Sequence, residues 1–170
     1  MNKALFLDRD GIINKRIIGG YITKPEEFKL IPESLTLFEW AKEHGYLTVI
    51  VTNQQGIGKG LMTEQDLANV HTYMCSLLAE YGFAPDAIEF CGDLAGTNST
   101  CRKPAPGMLL EAAQKLDIDL SSSWMIGDSI SDAQAGKNAG TKTILVGHYS
   151  DISEADFICA HVGECVKILG

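Results

Sequence analysis

The segment Ala4-Leu5-Phe6-Leu7-Asp8-Arg9-Asp10-Gly11 constrains the fold of this chain more than any other. Its apolar run is too short for a helix and reads as a buried strand, Lys3 to Leu7. The run stops abruptly at two carboxylates one residue apart, and Gly11 then permits a sharp turn. Two acids at a strand end can cap a helix in a solvated turn, hold a cation, or divide labour as nucleophile and proton carrier.

Four more short apolar runs follow: Tyr46 to Thr52, Ala87 to Cys91, Trp124 to Gly127 and Thr143 to Val146. Between them lie stretches with helical spacing. Leu35, Phe38, Trp40 and Ala41 mark one helix that stops near Gly45. Thr63 with Asp66 resembles a helix cap with an acid three residues on, and Leu67, Val70, Met74, Leu77 and Leu78 continue that helix to Gly82. Gly107 to Leu116 and Ser131 to Ala139 read as two more. Asp156 to Cys159 adds an edge strand and Glu164 to Leu169 a last helix. Strands alternating with helices imply an α/β fold: a three-layer, doubly wound, Rossmann-like parallel sheet. Residues 1–170 are expected to form a single domain.

The formal net charge of −8 leaves no basic excess for a general nucleic-acid binder, but a few local cations can still hold a small phosphorylated ligand. No apolar stretch reaches membrane-spanning length, and Met1-Asn2-Lys3 runs into a strand without a signal-peptide pattern, so a cytoplasmic protein is expected. The five cysteines form no tight framework and are expected to be reduced thiols. The four histidines, His44, His71, His148 and His161, share no spacing and are read as structural or exposed.

In doubly wound sheets, ligands sit beyond the carboxyl ends of the strands. Four polar groups fall there: Asp8 and Asp10, Thr52-Asn53, Arg102-Lys103, and Asp128 with Asp132. Singly, each has a plain structural reading: cap, turn, surface charge or solvated helix position. Together they supply what phosphoryl transfer needs. Asp8 would attack phosphorus and form an aspartyl-phosphate. Asp10 would protonate the leaving oxygen and later deprotonate water. Asp8 and Asp128, with the Asp10 backbone carbonyl, would hold Mg²⁺. Thr52 and Asn53 would bind phosphoryl oxygens, and Lys103 would neutralise developing charge. Asp132 would orient Lys103 or a metal-bound water.

These motifs, Asp8-Arg9-Asp10-Gly11, Thr52, Lys103 and Gly127-Asp128 with Asp132, closely resemble the haloacid dehalogenase superfamily of aspartate-nucleophile phosphatases. Thr52-Asn53-Gln54-Gln55-Gly56-Ile57 and Cys101-Arg102-Lys103-Pro104 resemble the branch of heptose bisphosphate and histidinol phosphate phosphatases, nearer to the former. The resemblance implies a magnesium-dependent phosphatase of a small phosphorylated metabolite, a heptose bisphosphate dephosphorylated at its 7-position or, alternatively, histidinol phosphate or another sugar or polyol phosphate. A phospho-accepting signalling domain is disfavoured, because an acid-base carboxylate two residues from the acceptor favours turnover over storage.

Many relatives carry a cap domain. Here 41 residues lie between Asp10 and Thr52 and 50 between Thr52 and Lys103, and each interval already holds a helix and a strand. No cap is expected, and three loops should control access: Asn14 to Pro32, Asn53 to Met62 and Gly92 to Arg102. Arg102 is either a clamp for a second phosphate or a surface arginine, and Lys59 can bring charge to the substrate. Many heptose-type relatives hold zinc in the third loop with Cys, His, Cys and Cys; the matching positions are Cys91, Asp93, Ser99 and Cys101. Zinc is therefore not expected, and the loop either folds without metal or pairs its two cysteines when oxidised. Ser129 stands where some relatives place a lysine.

Overall fold

The computed structural model describes residues 1–150 and 153–170. Its frame is one six-stranded sheet: β1 (Lys3–Leu7), β2 (Tyr46–Asn53), β3 (Ala87–Cys91), β4 (Trp124–Gly127), β5 (Lys142–Val146) and β6 (Phe157–Cys159). The strand order is β3-β2-β1-β4-β5-β6, and every pairing is parallel. The chain first winds outward from β1 through β2 to β3, then returns to β4 on the other side of β1. The direction of winding therefore reverses between β1 and β4, where such sheets open a crevice at the strands' carboxyl ends.

The helices are α1 (Leu35–His44), α2 (Gln55–Gly58), α3 (Glu64–Glu80), α4 (Gly107–Leu116), α5 (Ile130–Ala139) and α6 (Cys165–Leu169). Alternation along the strands explains the two layers they form. Leu5, Leu7, Ile50 and Ile126 pack with Phe38 of α1, Met74 of α3 and Cys165 of α6. Ala4, Phe6, Val49, Val51 and Met125 face the other way, onto Met108 and Leu109 of α4 and Ala135 of α5. A strand buried on both faces reads as a continuous apolar run, which is why β1 has no polar residue after Lys3.

Local signals set the ends. Gly45 and Gly140 adopt left-handed conformations that close α1 and α5. Thr63 caps α3 reciprocally with Asp66, as the spacing predicts. The glycine-rich stretch expected as loop contains the single turn α2, and the last helix starts one residue later than expected. The segments between Asp10 and Lys103 are used by α1, β2, α2, α3 and β3, so the expectation of a sheet without an inserted cap matches the element order. No helix among the described residues is long and apolar enough to cross a membrane.

The expectation of five reduced thiols needs one correction. Cys75, Cys159 and Cys165 are free, but Cys91 and Cys101 are disulfide-bonded, with Cα atoms 5.7 Å apart. The end of β3 and the turn before Lys103 approach within the span that a disulfide bridges, which selects the second of the two outcomes expected for the third loop, pairing of its two cysteines. Cys159 and Cys165 are buried, as expected of core thiols.

Candidate active site

Asp8 and Asp10 leave β1 at the reversal point, and Gly11 turns the chain sharply with φ +92°. A side chain at Gly11 would also collide with the Asp128 carboxylate, so two requirements select glycine there. Asp128 follows β4 directly. A Cβ at Gly127 would overlap Asp132, so this glycine lets α5 begin hard against the end of β4.

Lys103 is the centre of the floor. It is 3% exposed, and its Nζ donates to Asp8 Oδ1 at 2.8 Å and to the Val51 carbonyl at 2.9 Å, and lies 2.6 Å from Asp132 Oδ1. The other Asp132 oxygen accepts from the Ser129 backbone N–H at 3.0 Å and the Ser129 hydroxyl at 2.8 Å. Asp132 therefore holds Lys103 in place, one of the two roles expected of it. Asn53 braces the same residue from β2: its Oδ1 accepts from the Lys103 N–H at 3.0 Å and its Nδ2 donates to the Lys103 carbonyl at 3.2 Å. The amide expected to bind a phosphoryl oxygen is thus engaged with the main chain of Lys103. Thr52 is fully buried at the strand end, and its hydroxyl accepts from Gln54 Nε2 at 2.9 Å.

Charge is unevenly distributed across this floor. Burial pushes the Asp8 carboxyl well above the usual carboxylate range, and Asp132 adds to this while Lys103 opposes it. Asp128 is also raised, chiefly by burial, against the opposing charge of Arg16. Burial would lower Lys103, but Asp132 and Asp8 outweigh it and hold the ammonium firmly protonated. Asp10 behaves differently. Burial acts to raise it, yet Arg9, Asn14 and Gln54 hold it below the usual range.

The Asp10 arrangement contains residues that sequence reasoning passed over. Arg9 is fully buried; it donates to Asp10 Oδ1 from Nη2 at 2.8 Å and to Asn14 Oδ1 from Nε at 3.2 Å. Asn14 Nδ2 donates to Asp10 Oδ1 at 2.9 Å, and Gln54 Nε2 to Asp10 Oδ2 at 3.1 Å. Behind them, His71 Nε2 of α3 lies 3.1 Å from Arg9 Nη1. Burial, then Arg9, pushes His71 down to about 4, so the ring is neutral near pH 7 and accepts the guanidinium proton. Arg9 and Gln54 stand inside the motifs quoted above, but no spacing ties them or Asn14 to Asp10; only packing reveals the network.

A cleft of about 590 Å³ opens over the floor, lined by Asp8, Asp10 and Lys103 below and by Arg16, Lys59 and Arg102 at its rim. The three loops expected to control access each send one of these rim cations, and Tyr21 of the first loop also lines the cleft. Lys59 Nζ lies 5.5 Å from the centre of the Tyr21 ring. Arg102 places a buried Nη1 at the cleft without a hydrogen-bond partner. Arg16, which sequence reasoning did not single out, donates from Nη2 to Asp128 Oδ1 at 2.8 Å.

Carboxylate oxygens of Asp8, Asp128 and Asp132 lie within 4.8 Å of one another. Hard oxygen ligands gathered this closely, at a buried spot with excess negative charge, fit a divalent cation such as Mg²⁺. The third loop does not fit zinc. Its four positions do converge, with the two sulfurs and the Asp93 carboxylate within 4.8 Å. However, the sulfurs are bonded to each other, and Ser99 donates to Asp93 at 2.6 Å. That leaves too few free thiolate or imidazole donors for a tetrahedral site.

Residues 100–165 match the HAD-hydrolase-like family model. The D-glycero-beta-D-manno-heptose-1,7-bisphosphate 7-phosphatase of Helicobacter pylori is 44% identical, over 85% of this chain and 83% of that protein. The D-glycero-alpha-D-manno-heptose-1,7-bisphosphate 7-phosphatase of Burkholderia mallei is 40% identical, over 85% and 79%. The crystal structure of D,D-heptose 1,7-bisphosphate phosphatase from B. bronchiseptica, complexed with magnesium and phosphate, superposes with a TM-score of 0.86 at 30% identity, covering 98% of this chain and 97% of that one. Sequence motifs, sheet order and relatives agree, and this chain belongs to the heptose-bisphosphate phosphatase family of the haloacid-dehalogenase-like hydrolases.

Proposed function

We propose that this enzyme removes the 7-phosphate of D-glycero-D-manno-heptose 1,7-bisphosphate through an aspartyl-phosphate on Asp8. The observation that carries the reading is the Asp8 carboxylate held 2.8 Å from the buried Lys103 at the cleft floor, with Asp10 beside it. A carboxylate oxygen of Asp8 attacks phosphorus while the bond to the sugar oxygen breaks. Lys103 stays protonated and offsets the charge that gathers on the phosphoryl oxygens. Thr52 donates its hydroxyl proton to one of those oxygens, and Asn53 keeps Lys103 aimed at them.

Asp10 gives its proton to the leaving oxygen, then takes one from the water that splits the acyl-phosphate bond and frees phosphate. In the substrate-free enzyme its donors favour the anion. Arrival of a phosphate dianion places like charge beside it and raises its affinity for a proton. Asp8 and Asp128, with the Asp10 carbonyl, would hold Mg²⁺, which when bound supplies positive charge to the transferring group. Arg102 and Lys59 receive the phosphate that is not cleaved. The substrate is a charged sugar that does not cross a bilayer unaided, so the enzyme is read as cytoplasmic.

Phosphate release from a panel of esters tests the reading. The panel holds both anomers of heptose 1,7-bisphosphate, histidinol phosphate and p-nitrophenyl phosphate. One heptose anomer should give the highest kcat/KM by at least about tenfold. A chelator should stop turnover and added Mg²⁺ restore it, and Asp10→Asn should lose turnover on every ester. A higher kcat/KM for histidinol phosphate would overturn the substrate; wild-type rates in Asp10→Asn would overturn the acid-base role.

A further inference from the structure

Arg16 holds an unusual position. It comes from the loop after β1, its side chain is half exposed, and it ends on Asp128, a residue read as a ligand of the divalent cation. The Asp128 carboxylate is confined on the opposite side, where Gly11 leaves no room even for a Cβ. A guanidinium and a divalent cation both draw on this one carboxylate, and their charges repel across it. The cleft offers Arg16 another place. It already lines the space where Lys59 and Arg102 lie, and Arg102 there has a donor without a partner. A bisphosphate brings two anionic groups. Lys103, with a cation held by Asp8 and Asp128, would meet the one that reacts, which leaves the other to the rim.

We propose that Arg16 is a specificity-determining residue that leaves Asp128 when the divalent cation loads and turns to the substrate's second phosphate. This rests on the proposed bisphosphatase reading. Here the guanidinium donates to the same Asp128 carboxylate that would help to hold the cation. Loading of the cation releases it into the cleft, where its planar fork suits a phosphate bidentately. Cation binding and recognition of the distal phosphate are then coupled through one side chain, and by linkage each strengthens the other.

Two measurements on wild type, Arg16→Gln and Arg16→Lys test the coupling. The first is Mn²⁺ binding without substrate, followed by electron paramagnetic resonance. Removing the competitor should tighten Mn²⁺ in Arg16→Gln by about fivefold, with Arg16→Lys in between. The second is the ratio of kcat/KM for heptose 1,7-bisphosphate to kcat/KM for p-nitrophenyl phosphate. It should fall about tenfold in Arg16→Gln, mainly through KM for the bisphosphate, and recover in part in Arg16→Lys. Unchanged or weaker Mn²⁺ binding in Arg16→Gln would overturn the proposal, because Arg16 would then brace Asp128 and not compete for it. An unchanged ratio would overturn it as well. The Mn²⁺ arm uses no substrate, so a wild-type enzyme that prefers another ester would sink the heptose reading without deciding this arm.

Discussion

The floor and the rim of the cleft are built on opposite principles. On the floor, Asp8, Lys103 and Asp132 are almost completely buried and locked to one another by contacts of 2.6–2.8 Å. At the rim, Arg16 is half exposed, Lys59 rests over a tyrosine ring, and Arg102 keeps an unpartnered donor. Phosphoryl transfer needs groups fixed before the substrate arrives, because the catalytic gain comes from electrostatics that do not have to reorganise. Recognition of a second phosphate tolerates side chains that settle only on contact. The floor therefore spends stability on geometry, whereas the rim keeps charges that are not locked to one another.

Variants can break this contrast in order of effect. Asp8→Asn should cut turnover by about 10⁴-fold or more if Asp8 carries the phosphoryl as proposed. Its thermal midpoint should nevertheless equal or exceed that of wild type, because burial and neighbouring acids disfavour the Asp8 anion in the resting enzyme. A fall of several degrees in a thermal melt would show that the floor depends on that charge. Lys103→Met should behave in the opposite sense for stability. It leaves Asp8 and Asp132 buried without their shared cation, and chemical denaturation should register a loss of about 3–5 kcal/mol.

His71 lies one layer below the floor and gives a smaller, pH-dependent effect. Its proton affinity is depressed on folding, so the unfolded chain takes up the proton first as pH falls from about 6.5 toward about 4. Stability contributed by the neutral ring is complete above this window and drains away within it, by about 2 kcal/mol between pH 7 and pH 4.5. His71→Gln keeps an acceptor for Arg9 but does not titrate. Its denaturation free energy should therefore fall less steeply over the same interval. Lys59→Ala should be the mildest: unfolding free energy within about 0.5 kcal/mol of wild type, with the loss appearing in KM for the bisphosphate. A larger stability change there would erase the distinction between floor and rim.

The strands were legible because each is a short apolar run bounded by polar residues, and β1, β2 and β4 emerge within a residue of their expected limits. The catalytic candidates were legible for a related reason. Parallel strands all point their carboxyl ends to one edge, so residues immediately after the runs must meet there. The roles of Arg9, Asn14 and Gln54 were not, because they look like turn residues, while His71, read as structural or exposed, is buried against Arg9. Arg16 was missed for the same reason, being one basic residue in a polar loop. Asn53 lines the cleft, but the direction of its amide depended on how closely the Lys103 turn packs against β2.

By itself the order of residues determined the alternation of strands and helices, the parallel sheet and the identity of the acids at its edge. Those follow from local periodicity and from the rule that crossing helices force strands to run the same way. Tertiary structure alone decided which charges share a partner. The choice between free and paired Cys91 and Cys101, the Arg9 bridge from Asp10 toward His71, and the grip of Arg16 on Asp128 each depend on side chains from separate segments. Distances of a few ångströms set their electrostatics, and no spacing along the chain encodes such distances.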